Sequence, residues 1–170
     1  MALYYFDASA LVKYYVTEPG STWVRELIDA RDGGTDRPRH VIFAAEITRV
    51  EVAAGLAVIE RVGRIRKSER DREYQRFVNQ LVHRYAVIRL TTDDLEQAAN
   101  LTQRHPLKAY DAVQLAVALR HNRALVAHQF TLVFVSGDDT LLTAAQAEGL
   151  PIDNPFDHLS PHDTLRTPAS

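Results

Sequence analysis

Four acidic residues stand where a chain of alternating strands and helices usually carries small or apolar side chains. Each one borders or interrupts an apolar run, and they are Asp7, Glu51, Asp111 and Asp138. A buried carboxylate is costly on its own, and carboxylates that converge repel one another unless a cation neutralises them. The pattern therefore indicates a site for a hard divalent metal, Mg²⁺ or Mn²⁺, and from there phosphoryl chemistry with a metal-activated water.

Three of these acids also have an ordinary structural explanation. Asp7 precedes a predicted helix and could simply cap it, and either Asp138 or its neighbour Asp139 could cap another. Asp111 could be a first-turn acid that the helix dipole favours. These explanations do not predict that the acids fall on elements able to meet at one edge of one sheet, which is why we retain the metal-site interpretation.

Glu51 is the most informative acid because of the helix face that it occupies. Three apolar residues lie within about 40° of it on a helical wheel, namely Ile47, Val58 and Val62. Pairing with Arg49 or Arg61 is the alternative, but both arginines project away from Glu51. We therefore interpret Glu51 as a functional residue in the middle of an apolar face.

The elements that must position these acids alternate along the chain. The sequence predicts strands at residues 2–6, 41–44, 87–90 and 132–136, with a short edge strand at 151–152. It predicts helices at residues 8–15, 21–30, 46–62, 67–85, 91–104, 109–121 and 140–148. This alternation is typical of a three-layer α/β/α fold with a mostly parallel sheet, whose ligands bind beyond the carboxyl ends of the strands. Asp7 and Asp138 would lie on that edge.

Composition narrows the class of protein. The chain has 170 residues, 46% hydrophobic and 25% charged, which fits one globular domain. It contains no cysteine, which excludes disulfides, thiolate metal sites and cysteine nucleophiles and fits the cytoplasm. The start lacks the basic region of a signal peptide, and no apolar stretch approaches the roughly 20 residues of a membrane span. Because the formal net charge is −2, attraction to nucleic acid would require a local basic patch.

Four segments, in order along the chain, resemble the motifs of PIN-domain nucleases, particularly the bacterial VapC-like toxins. They are residues 5–13, 48–56, 107–116 and 134–145. The resemblance covers residues 3–152 and implies a Mg²⁺- or Mn²⁺-dependent endoribonuclease, a homodimer, and a small antitoxin protein that neutralises it. It leads us to expect a PIN-like nuclease domain at 1–153 and a poorly ordered polar tail at 154–170. The loop at 31–39 lies outside the pattern.

The resemblance also implies roles for individual residues. By position it gives Asp7, Glu51, Asp111 and Asp138 as the catalytic and metal-binding acids, and Ser9 as an accessory polar group. Asp139, beside Asp138, leaves the fourth acid ambiguous. The family often has threonine where Ser136 stands.

Contacts to RNA require basic residues, and the sequence offers two groups. Residues 61–76 carry seven positive and three negative side chains, which could follow phosphates or form a solvated face of intrahelical ion pairs. Lys13, Arg104 and Lys108 are closer in sequence to the acids, and we predict that they contact RNA.

A second apolar face on the Glu51 helix bears on the partners. It consists of Val52, Leu56 and Ile59, which could pack internally or be covered by an antitoxin or a dimer mate.

Competing functions remain open at this point. A different Mg²⁺-dependent phosphohydrolase could use Asp7 as a nucleophile, but that chemistry usually needs a second acid at the position of Ser9. A receiver-like domain would need an acidic pair after the first strand, and there is no glycine-rich nucleotide loop. A non-catalytic binding module could keep the same fold, although the presence of all four acids favours an enzyme.

Overall fold

A five-stranded parallel sheet forms the centre of the computed structural model, which describes residues 1–163. The strands are β1 (Leu3–Phe6), β2 (Val41–Ala45), β3 (Ala86–Ile88), β4 (Leu132–Val135) and β5 (Ile152–Asp153). Their order across the sheet is β3-β2-β1-β4-β5, and every neighbouring pair is parallel. The predicted mostly parallel sheet is confirmed, including the short edge strand.

Seven α-helices connect and cover these strands. They are α1 (Ala8–Tyr15), α2 (Ser21–Asp29), α3 (Thr48–Arg61), α4 (Lys67–His83), α5 (Thr92–Arg104), α6 (Ala109–Val126) and α7 (Asp139–Ala147). α3 begins later than the sequence predicted, because Glu46 still belongs to the sheet edge: its backbone N–H donates to Ile88 and its carboxylate accepts from the N–H of Leu90. α6 runs past the predicted end at 121.

Two separate apolar cores confirm the predicted three-layer arrangement. One core packs α1 to α4 against one face of the sheet, and its fully buried residues include Leu11, Val24 and Phe77. The other packs α5 to α7 against the opposite face, with Leu101 and Leu115 at its centre. Successive strand residues point to opposite faces, so each strand contributes to both cores.

The second apolar face of α3 packs internally. Val52 and Leu56 are fully buried and Ile59 nearly so, all within the core that contains α1 and α4. Of the alternatives that the sequence left open, internal packing is the one that the structure shows.

The order of the strands reverses at β1. From β1 the chain continues to β2 and β3 on one side of the sheet, whereas β4 and β5 lie on the other side. At such a reversal the connections leave in opposite directions and open a crevice beyond the carboxyl ends of the central strands. β1 and β4 are those central strands. Asp7 directly follows β1, and Asp138 lies three residues after the end of β4.

The segment 154–163 is folded, so the predicted poor order from Asn154 onward is wrong for these ten residues. It forms two short 3₁₀ turns, Pro155–Asp157 and Pro161–Asp163. The buried carboxylate of Asp163 accepts hydrogen bonds from the backbone N–H groups of Gly20 (2.9 Å) and Thr22 (2.8 Å) at the start of α2. These contacts anchor the segment. The rest of the predicted tail, 164–170, lies outside the described residues, and the domain boundary at 153 stays a prediction.

Within residues 1–163, none of the helices combines the length and apolar character needed to cross a membrane.

Candidate active site

Asp7 lies at the end of β1 and also caps α1. Its Oδ1 accepts from the backbone N–H of Ala10 (2.9 Å) and the hydroxyl of Ser9 (2.8 Å), and its Oδ2 accepts from the hydroxyl of Ser136 (2.9 Å). The side chain is nevertheless buried, and burial raises its pKa to about 6, with the charge of Asp111 adding to the effect. Asp7 can therefore cap α1 and still belong to the candidate site. Its ionised form destabilises the folded protein because the side chain is buried.

Glu51 lies in the first turn of α3, where the Gln114 amide nitrogen donates a short hydrogen bond to its Oε2. Its pKa is raised to about 7, chiefly by burial and also by the charges of Asp7 and Asp111, against the lowering effect of the bond from Gln114. Within residues 1–163, no ion pair joins Glu51 to Arg49 or Arg61. The structure therefore does not show the alternative of pairing with an arginine, and the functional role of Glu51 stays a prediction.

Gln114 holds Glu51 through a buried hydrogen-bond network. Its Oε1 accepts from the Tyr5 hydroxyl at 2.6 Å, and its Nε2 donates to the Thr48 hydroxyl at 2.8 Å as well as to Glu51. Since an ionised carboxylate only accepts hydrogen bonds, the donor end of the amide faces Glu51, and the Tyr5 hydroxyl donates to the acceptor end. Sequence reasoning missed this residue, although a glutamine inside the otherwise apolar run 112–119 was a signal that could have found it.

Asp111 lies half-buried in the first turn of α6. Burial raises its pKa, the charge of Asp138 raises it further, and the charge of Lys108 lowers it. Asp111 is thus within electrostatic range of all three other acids, because it also raises the pKa values of Asp7 and Glu51.

Asp138 and Asp139 take different positions at the start of α7. Asp138 is the N-cap, and its Oδ1 accepts from the backbone N–H groups of Thr140 (2.8 Å) and Leu141 (3.0 Å). Asp139 is exposed, and its Oδ1 accepts from the Asn154 amide at 2.9 Å. Because Asp138 and not Asp139 acts on Asp111, we favour Asp138 as the fourth acid.

Ser136 links the first and fourth acids. It is fully buried after β4, its hydroxyl donates to Asp7, and the same oxygen accepts from the backbone N–H of Asp138 at 3.0 Å. Ser9, the predicted accessory group, completes this side of the site by accepting from the N–H of Gly137 at 2.8 Å. The short polar bridge fixes the loop after β4 against the end of β1.

The donors suit a hard cation. All four are carboxylates. Burial raises the pKa values of Asp7, Glu51 and Asp111, and the charges of neighbouring acids raise them as well. A divalent ion would relieve that repulsion, and carboxylate oxygens are the ligands that Mg²⁺ takes. Among the described residues, no three acidic or histidine side chains form a group that could hold a metal ion by themselves.

The three basic residues predicted near the acids lie in different surroundings. Lys13 is almost completely buried, with its ammonium 3.5 Å from Glu18 Oε2. Arg104 forms an ion pair with Glu148 at 2.8 Å. Lys108 is exposed at the start of α6 and acts on Asp111. Their contact with RNA stays a prediction, which the position of Lys108 suits best.

The basic segment 61–76 is largely paired with acids. Arg70 bonds Asp71 and Glu60, and Arg72 and Arg76 bond Glu73. This agrees with the alternative of a solvated face of ion pairs.

Comparison with known proteins decides the family. The PIN-domain profile matches residues 4–129. The chain belongs to the PIN-domain family. It is also 34% identical over 125 residues to Ribonuclease VapC45 and to Ribonuclease VapC49, each from a strain of Mycobacterium tuberculosis. Each alignment covers 70% of this PIN-domain chain and 76% of the relative, which confirms the resemblance to VapC proteins.

Solved structures share the PIN fold. The structure of PAE2754 from Pyrobaculum aerophilum is 20% identical, covers 92% of this chain and 85% of its own, and gives a TM-score of 0.57. A toxin–antitoxin complex from Klebsiella pneumoniae is 20% identical, with coverages of 91% and 98% and a TM-score of 0.53. VapBC2 from Rickettsia felis, bound to a promoter DNA fragment, is 12% identical, with coverages of 89% and 98% and a TM-score of 0.57.

Proposed function

We propose that this PIN-domain protein is a Mg²⁺- or Mn²⁺-dependent endoribonuclease that acts as the toxin of a toxin–antitoxin pair. The observation that carries the proposal is that Asp111 lies within electrostatic range of Asp7, Glu51 and Asp138 at the reversal of strand order, where burial and these charges raise the pKa of Asp7 to about 6 and that of Glu51 to about 7. The names of the two mycobacterial relatives support ribonuclease activity.

The four acids have different proposed roles in binding the metal. Asp7 and Asp111 are the proposed principal metal ligands, with Glu51 and Asp138 as outer or second-metal ligands. A cation bound there would polarise the phosphodiester and supply a water of lowered pKa as the nucleophile. One of the acids with a raised pKa would accept the proton of that water, since a group that titrates near neutral pH does so efficiently.

The surrounding residues keep the acids in place for this reaction. Ser9 and Ser136 donate to Asp7, and Gln114 donates to Glu51, so hydrogen bonds hold each of these two carboxylates in one orientation. Such fixed partners let the site meet developing charge without rearrangement.

We further propose a small antitoxin as protein partner and a homodimer as the oligomeric state. Two of the similar structures are toxin–antitoxin assemblies. Three valines on α3 or directly after it are exposed by half or more: Val50, Val58 and Val62. An antitoxin segment that covered these valines would lie close to the acids and could block them.

The test is cleavage of a mixed tRNA and rRNA pool by purified, antitoxin-free protein. Cleavage should require Mn²⁺ or Mg²⁺, disappear with EDTA, and disappear in Asp7→Asn and Asp111→Asn. Asp36→Asn, which changes an exposed acid in the loop 31–39, is the matched control and should cleave like the wild type. Full activity in folded Asp7→Asn would refute the assignment. Absence of cleavage by the wild type, together with no Mn²⁺ binding, would instead favour the non-catalytic binding module.

A further inference from the structure

Phe156 is an exposed aromatic ring held in a fixed position. It lies in the first 3₁₀ turn of the C-terminal segment and is 43% exposed. Asn154 Oδ1 accepts its backbone N–H at 3.0 Å, and the neighbouring Pro155 is buried against Gly20. The ring therefore keeps its place although it leaves much of its apolar surface in water.

The ring lies beside the catalytic acids. A Cβ atom built on Gly137 would be 3.2 Å from Phe156 Cε2 and 3.4 Å from Ser9 Oγ. The Ser9 hydroxyl in turn donates to Asp7 at 2.8 Å. The missing side chain at Gly137 thus leaves room for the ring on the side of the site where Ser9 contacts Asp7.

One face of the ring carries a cation. The ammonium of Lys13 lies 3.9 Å from the centroid of the Phe156 ring, and the lysine is buried beneath it. Because that face is occupied, the solvent-exposed part of the ring belongs to its other face and its edge. A positive charge behind an aromatic ring also draws electron density from the open face, which favours stacking with another π-system.

We propose that Phe156 stacks on a nucleobase of single-stranded RNA next to the phosphate that is cut. Sites for single strands use aromatic rings that accept any base, and Phe156 is an exposed ring of this kind beside Ser9 and Gly137. The inference rests on the proposed ribonuclease function and deepens it, because it assigns an unpaired base flanking the cleaved bond. Phe156 lies outside the matched range 4–129, so this subsite belongs to the C-terminal segment of the present chain.

The experiment compares two fluorescent strands that have the same number of phosphates. One is a short single-stranded oligoadenylate, and the other carries abasic spacers in place of every nucleoside. Binding is measured by fluorescence anisotropy in an Asp7→Asn background, so that the strands stay intact. Phe156→Ala removes the ring and Phe156→Trp restores an aromatic face. Phe130→Ala is the matched control, since Phe130 is 46% exposed between α6 and β4.

Phe156→Ala should weaken oligoadenylate binding by about fivefold or more and leave binding of the abasic strand unchanged. Phe156→Trp should bind oligoadenylate as the parent does, and Phe130→Ala should change neither affinity. Unchanged oligoadenylate affinity in Phe156→Ala, or an equal loss on both strands, would overturn the proposal. Unfolding midpoints of all variants are compared to identify damage to the fold.

The stacking proposal and the proposed nuclease function are tested by different measurements. Metal-dependent cleavage of the RNA pool by the wild type tests the nuclease, whereas base-dependent binding of an uncut strand tests the ring. If the wild type cleaves RNA but Phe156→Ala still prefers the oligoadenylate over the abasic strand as the parent does, only the stacking subsite is overturned.

Discussion

Asp7→Asn should make the metal-free protein more stable while it abolishes metal-dependent cleavage. The buried Asp7 carboxyl has its pKa raised from 3.8 to about 6. At about 1.36 kcal/mol for each pH unit, ionisation of this group costs the folded state about 3 kcal/mol relative to the unfolded chain. Asparagine removes that cost. It keeps an Oδ1 acceptor for the N–H of Ala10, and the hydroxyls of Ser9 and Ser136 can turn to accept from its amide.

The sign of the pH dependence follows from the raised pKa. Below about pH 3.8 the carboxyl is protonated in both states, and above about pH 6 it is ionised in both. Between these values the folded protein holds the proton more tightly, so wild-type stability falls as pH rises. The gain from Asp7→Asn should therefore be smaller than about 1 kcal/mol near pH 4 and approach about 3 kcal/mol near pH 8.

Urea unfolding with EDTA, at both pH values, measures this gain. Asp36→Asn should show no such pH-dependent gain, because Asp36 is exposed. Mn²⁺ should reverse the order near pH 8 at about 1,000 times its Kd, since an ion that binds only the folded wild type then adds about 4.1 kcal/mol, more than the gain of about 3 kcal/mol from the substitution. An Asp7→Asn variant that is equally or less stable than the wild type near pH 8 in EDTA would refute the reasoning that burial makes this carboxylate costly.

Three further changes test other parts of the site and fold. Gln114→Leu removes the donor to Glu51 and should weaken Mn²⁺ affinity by about tenfold or more, measured by isothermal titration; unchanged affinity would contradict a positioning role. Gly20→Ala forces a Cβ atom onto the backbone carbonyl of Pro155, whereas Gly63→Ala, with a similar positive φ, meets no atom within 4 Å. Gly20→Ala should therefore cost more stability in urea than Gly63→Ala, which should cost about 1 kcal/mol; equal costs would contradict the close packing. Lys108→Ala should reduce the slope of log affinity for single-stranded RNA against log salt concentration by about 0.7, and an unchanged slope would exclude a phosphate contact.

Much of the fold was predictable because its elements follow local rules. Apolar runs at 3–6 and 132–135 form the central parallel strands, and acids at Asp7 and Asp138 cap the helices that follow them. The same acids could be proposed as site residues, since a parallel sheet brings the carboxyl ends of its strands to one edge. Asp7 caps α1 and also lies in the candidate site, so the two explanations that the sequence left open do not exclude each other.

What the sequence did not reveal depends on contacts between distant residues. Gln114 reads as one polar position in an apolar helix, and only the fold brings it to Glu51 and Tyr5. The segment 154–163 looks polar and proline-containing, but it is held because the carboxylate of Asp163 meets the start of α2 across 143 residues of sequence. Neither contact can be predicted from composition, because the residues that form it are far apart in sequence and share no local pattern.

In the proposed reaction a water, activated at the four acids, attacks the phosphodiester. Mass spectrometry of the RNA fragments after Mn²⁺-dependent cleavage in ¹⁸O-labelled water tests this step. Attack by water forms one new P–O bond and breaks the bond to the leaving ribose oxygen, so each new terminal phosphate should carry one ¹⁸O from solvent. Fragments that end in an unlabelled 2′,3′-cyclic phosphate would show attack by the ribose 2′-hydroxyl and would refute the water mechanism.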